Sequence, residues 1–230
     1  MVWFFGALYC SSQEPPRSLE AGPDHRLWET VEEVATPEGT ILVTNRVEQV
    51  ETGLNFLGPD GSWIISSPRL EVAKDGSSAF ARNLQYQVVF APSPLADTVF
   101  DLTLPDSQHL AGRVLGLGYV DAEGEAVLIA EPVEVTGKIT GPEGNEVIFP
   151  SAFSGGITAD LIYRVDKGGM SQNVLLRSQI PPPTAYGLSD KSILALFTEF
   201  NAHPEMERSS RVIQDADQKH AELTDEEISV

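Results

Sequence analysis

By type, the side chains best suited to act as base or nucleophile are four histidines, His25, His109, His203 and His220, and one cysteine, Cys10. A hydrolytic triad needs a serine or cysteine beside an imidazole and an acid behind it, and its members need not be neighbours in sequence. No G-x-S-x-G turn is present, and Cys10 stands near the terminus with no histidine close to it. Three of the histidines fall in linker or tail composition, and His109 sits in the loop-like "PDSQHLAG". No H-E-x-x-H, paired-cysteine or EF-hand spacing occurs. The turns "GPDG", "DAEG" and "GPEG" hold one or two carboxylates each, short of the ~6–8 oxygens calcium takes. Their composition is that of tight turns. No cofactor and no metal are expected. The glycines of "LGLG" (115–118) precede no lysine and no helical pattern, so they fit a bulge or a close backbone approach within a strand rather than a phosphate cradle.

Acids are abundant, 34 against 15 Lys and Arg, so no pair of carboxylates stands out for glycoside hydrolysis. Aromatic rings that could stack on a sugar are Trp28, Trp63, Tyr86 and Tyr119, the candidate binding residues. Trp63, inside "GSWIIS", has the simpler reading of a strand residue packing its indole on a core. The formal net charge of −19 opposes nucleic acid or an anionic membrane as partner. One cysteine allows no internal disulfide, so burial must hold the fold. No run approaches the ~20 apolar residues of a transmembrane span.

The elements that must position these residues read as strands. "LQYQVVF" alternates, with Leu84, Tyr86, Val88 and Phe90 on one side and Gln85 and Gln87 on the other. "ITADLIYRVDKGGMSQNVLLRS" is a hairpin turning at Asp166-Lys167-Gly168-Gly169, with Leu161, Tyr163 and Val165 sharing a face. "GLNFLGPDGSWIIS", "RVLGLGYVDAEGEAVLIAEP" and "EVTGKITGPEGNEVIFP" repeat that plan. "GTILVTNRVEQV" follows the turn "TPEG", and Leu27–Val34 is its partner strand or a short helix, with strand preferred. About ten to thirteen short strands at ~8–12-residue spacing predict an all-β fold, an antiparallel sandwich or sandwich-like barrel with a polar C-terminal tail.

Domain boundaries follow composition. Residues 1–24 read as a clipped export signal plus a Pro-rich linker, residues 25–200 as the β-sandwich domain, and residues 201–230 as an acidic tail or the start of a truncated continuation. The apolar run Val2–Tyr9 before Cys10 has no basic flank and is short for a signal. It reads equally as an N-terminal strand or a disordered start. Cys10 is a candidate for lipidation. Pro181-Pro182-Pro183 lies between the apolar "NVLLRSQI" and "KSILALFTEF". Lacking ladder donors, it reads as the end of a strand and a stiff redirection of the chain; the alternative is a polyproline ligand.

In their order, "VEQVETGLNFLGPDGSWIIS", "QYQVVF", "LGLGYVDAEGEAVLIAE", "ADLIYRVDKGGMSQNVLLR", "PPPTAYGLS" and "LFTEF" carry a resemblance. The chain from about Arg46 to Phe200 resembles the N-terminal β-rich region of very large secreted or cell-surface proteins of environmental bacteria. Those proteins carry laminin-G-like or RHS/YD-repeat modules further on. The resemblance implies an extracellular or cell-surface location, partners that are other modules or surface proteins, and no site residues. The expectation is a non-catalytic extracellular β module, a scaffold or binding surface rather than an enzyme. The alternatives are a carbohydrate-binding β-sandwich, with glycans as partners, and a glycoside hydrolase-type enzyme with spaced carboxylates.

Overall fold

The computed structural model describes residues 15–213 and 223–229. Strands make up 54% of the described residues, arranged in several antiparallel sheets with no closed barrel and no α-helix among them. The fold is all-β and sandwich-like, as alternation and turn spacing predict. The chain divides into two compact units, Met1–Ser67 and Pro68–Val230.

The first unit holds β1 (Arg17–Ala21), β2 (His25–Thr36), β3 (Gly39–Val50), β4 (Asn55–Leu57) and β5 (Trp63–Ile65). β1, β2 and β3 form one sheet in that order, and β4 and β5 a small hairpin. Arg17–Ala21, within the stretch expected as linker, is instead a strand that pairs with β2 through a bulge between Ser18 and Glu20. Pro15, Pro16, Gly22 and Pro23 flank the segment without entering it, so its ladder donors are intact. β2 and β3 turn through Pro37 and Glu38, with Thr36 opposite Gly39 and the threonine hydroxyl donating to the Gly39 carbonyl at 2.6 Å. Asp60 Oδ1 accepts from the Ser62 N–H at 3.0 Å and fixes the "GPDG" turn, which closes with Gly61 at φ +80°.

The second unit contains the sandwich. One layer takes β6 (Glu71–Val72), β7 (Ala79–Ala81), β8 (Gln87–Phe90), β9 (Phe100–Thr103), β10 (His109–Val120) and β11 (Ala126–Ala130). The other is β12 (Lys138–Thr140), β13 (Glu146–Phe149), β14 (Ala159–Asp166) and β15 (Gly169–Leu176). A 3-10 helix, Pro183–Tyr186, then leads to β16 (Ile193–Ala202), which returns to pair with β10. β17 (Glu207–Ile213) and β18 (Leu223–Ser229) form a separate hairpin where charge alone predicts tail. Eighteen strands are thus described against the ten to thirteen expected. The surplus is β1 and the β17–β18 hairpin, in polar segments, with the two- and three-residue strands β6 and β7, too short to show a period.

The core is where the alternation places it. Val88, Phe90, Phe100 and Leu102 from one layer meet Phe149, Leu161, Tyr163 and Val165 from the other. The Tyr163 ring lies 5.4 Å from Phe90, 5.6 Å from Phe100 and 6.2 Å from Phe149, joining the layers. The "LGLG" glycines do mark irregular pairing, since the β10 register shifts at Val114/Gly116 and Leu117/Gly118. Gly116 has φ +153°, and a Cβ there would strike the Ala130 carbonyl. Prolines 181–183 act as a bracket: the Tyr119 hydroxyl donates to the Pro181 carbonyl at 2.8 Å, and Gly187, at φ +82°, closes the short helix.

Candidate functional site

The pairing of β2 with β3 decides which side chains share a face. Trp28 stands opposite Val47, Thr30 opposite Asn45, Glu32 opposite Val43 and Val34 opposite Ile41. Directly paired residues project to the same side, and alternate residues repeat that side. Pro16, Trp28, Thr30, Asn45 and Val47 line an open, mostly apolar concavity of about 490 Å3 on this face. Val47 is 61% exposed and Ile41 51%. The side chains of Thr30 and Asn45 form no hydrogen bond among the described residues.

Trp28 is held from behind and from the side. The Arg26 guanidinium lies over its ring at 5.3 Å, a cation–π distance. The indole N–H donates to Gln49 Oε1 at 3.2 Å. Arg26 is itself only 8% exposed. Its Nε and Nη2 donate to Asn55 Oδ1 at 2.9 and 2.6 Å, and Nη2 also donates to the Trp63 carbonyl at 2.8 Å. Asn55, fully buried, donates in turn to the carbonyls of Gly22 at 2.7 Å and His25 at 3.0 Å. Among the described residues this network satisfies a buried cation without a carboxylate, and it ties the β2 edge of the concavity to the β4–β5 hairpin.

Sequence reasoning named Trp28 but not Thr30, Asn45 or Val47. The signal was available in "TPEG": a two-residue turn pairs Thr36 with Gly39 and, counting back, Trp28 with Val47. Trp63, in the same unit, is half-buried on β5, and its main chain rather than its indole serves the network. Tyr86 and Tyr119, in the second unit, are buried. The Tyr86 hydroxyl donates to the carbonyls of Asp166, at 2.7 Å, and Gly169. Burial, then the Asp166 charge, pushes that phenol above its ordinary pKa. Tyr119 packs against Tyr186 at 6.1 Å, and burial raises its pKa. Both rings serve packing and the main chain, and neither is presented for stacking. Cys10 lies outside the described residues.

The ionisable side chains brought together in the second unit include an ion pair to a buried carboxylate and an exposed acid–imidazole pair. Asp160 is the one carboxylate buried among the described residues. It accepts from the Ser151 N–H at 2.8 Å and from Arg177 Nε and Nη2 at 2.9 and 2.6 Å. Burial pushes its pKa up, but the Ser151 amide and the guanidinium outweigh burial and hold it below the ordinary aspartate value. His109 Nδ1 lies 2.7 Å from Asp101 Oδ1 on the solvent side of β9 and β10. Among the described residues no group of three or more His, Cys, Asp or Glu side chains is placed to hold a metal ion. Among them, too, no helix is long and apolar enough to cross a membrane.

No family model, curated protein or solved structure matches this chain.

Proposed function

We propose that this chain is a non-catalytic β module of a secreted or cell-surface protein, a scaffold that binds through the open sheet face of its first unit. The observation that carries this reading is that face: a hairpin of two twelve-residue strands with Trp28, Val34, Ile41, Val43 and Val47 on one side, indented by an apolar concavity. An apolar, indented face on a chain of net charge −19 is the pattern of a binding surface. The resemblance to the N-terminal region of large secreted bacterial proteins supports the extracellular assignment. Engagement of the buried carboxylate Asp160 with Arg177 supports the non-catalytic one.

Two measurements test it. Chromogenic glycosides, esters and phosphate esters are offered to the purified chain, with no turnover above background expected. Turnover that disappears in Asp101→Asn or His109→Ala would sink the non-catalytic reading, because those two form the exposed acid–imidazole pair. Protease treatment of intact cells should remove the chain while sparing cytoplasmic markers. Protection of the chain would refute the surface location.

A further inference from the structure

We infer that the Trp28 concavity is a site for a neutral saccharide, one sugar ring lying against the indole while Thr30 and Asn45 bond its hydroxyls. The inference rests on the reading of this chain as a binding module and names the ligand class of its face. Three features support it: charge, size and the chemistry of the lining.

The charge of the sheet is divided unequally between its faces. On the concave side the paired residues of β1, β2 and β3 include a single cation, Arg26, and a single anion, Glu32. The reverse side carries Arg17 and Arg46 with Glu20, Glu29, Glu33 and Glu48. Arg26 is turned to Asn55 and to the ring it backs. None of the five residues lining the concavity is charged. On a chain of net charge −19, an uncharged depression suits a neutral ligand. A second copy of the chain would bring the same negative charge to the contact.

Size points the same way. A twelve-residue strand spans roughly 40 Å and three strands roughly 15 Å, and β1 covers less than half that length. The face therefore offers well under the roughly 800 Å2 per partner that stable protein interfaces bury. The concavity, at about 490 Å3, falls within the roughly 300–1,000 Å3 of small-ligand sites.

The lining has the two kinds of group a sugar needs. Its ring carries an apolar face of C–H bonds, which an indole accepts, and a rim of hydroxyls. Trp28 and Val47 supply apolar floor, and Thr30 and Asn45 form the rung beside them. Their side chains, unpaired among the described residues, provide a hydroxyl and an amide that both donate and accept. Arg26 and Gln49 hold the indole, so little side-chain freedom is lost on binding.

The test uses the full chain on an array of neutral and acidic glycans, followed by calorimetry with free neutral oligosaccharides of the structures bound. Trp28→Ala should weaken binding at least tenfold and Asn45→Ala several-fold. Val47→Arg, at an exposed position, should abolish binding by filling the concavity, and it leaves the fold intact by circular dichroism even where Trp28→Ala does not. A silent array, binding confined to acidic glycans, or binding that survives Val47→Arg each overturns the inference. A silent array with no turnover leaves the module reading standing, whereas cleavage of an offered glycan refutes that reading.

Discussion

Asn55→Ala should be among the most destabilising single changes in the first unit, although it removes no apolar group. Asn55 is fully buried and forms at least four hydrogen bonds, two from the Arg26 guanidinium and two to the carbonyls of Gly22 and His25. A hydrogen bond to a charged group contributes about 1.5–3 kcal/mol and a neutral one about 1 kcal/mol. Simple addition gives roughly 5–8 kcal/mol. Bonds of one network are not independent, and a water molecule can enter the space left. The expected loss is about 3–5 kcal/mol, the range for stranding a buried charge. All three tryptophans fall within residues 1–67, so intrinsic fluorescence during urea unfolding reports on this unit. The native emission should also shift, because Arg26 loses the partner that holds it over Trp28. A loss below 1 kcal/mol with unchanged emission would refute the claim that this network supports the Trp28 face.

In the second unit, Tyr163→Phe should be neutral or raise the melting midpoint by a few degrees, because the buried hydroxyl has no partner among the described residues and burial alone raises its pKa. A clear fall in the midpoint would show that the hydroxyl is bonded. Gly118→Ala should cost about 3 kcal/mol or more in chemical unfolding, since its Cβ would lie 2.5 Å from the Val127 carbonyl and 2.7 Å from the Phe197 ring. Asp160→Asn should cost about 2 kcal/mol at neutral pH. With the native pKa of Asp160 depressed, that contribution is complete above the ordinary aspartate value of ~3.9 and is lost as pH falls through the native one. The gap between wild type and variant should therefore stay flat from pH 8 to 5 and close below pH 4; a gap that widens on acidification would contradict the sign.

Local alternation carried most of the core. Tyr86, Val88 and Phe90, and Leu161, Tyr163 and Val165, are buried on the faces their spacing assigns. Turn chemistry located the hairpins, since glycine beside proline or acid marks where the backbone takes positive φ. The return of β16 to pair with β10 was not legible, because a partner more than 70 residues away leaves no local period. The β17–β18 hairpin was hidden by its charge, since main-chain pairing needs no apolar side chain. Asp160 alternates away from the face of Leu161, Tyr163 and Val165, yet it is 4% exposed because Arg177 and the Ser151 amide cover it. The Arg26–Asn55 network escaped for the same reason: buried polar pairs are set by long-range geometry. Of the site, one residue in five was named, Trp28, and the register that gathers the others was readable from "TPEG" but was not followed through.

The most direct measurement of the central claim is an NMR titration of the isotope-labelled chain with a neutral oligosaccharide selected on the array. The binding account predicts that shifts concentrate on the Trp28 indole N–H, the Asn45 side-chain amide and the backbone of residues 28–30 and 45–47, with no product signals over days. Shifts centred on Asp101 and His109, or appearance of cleaved sugar, would contradict it.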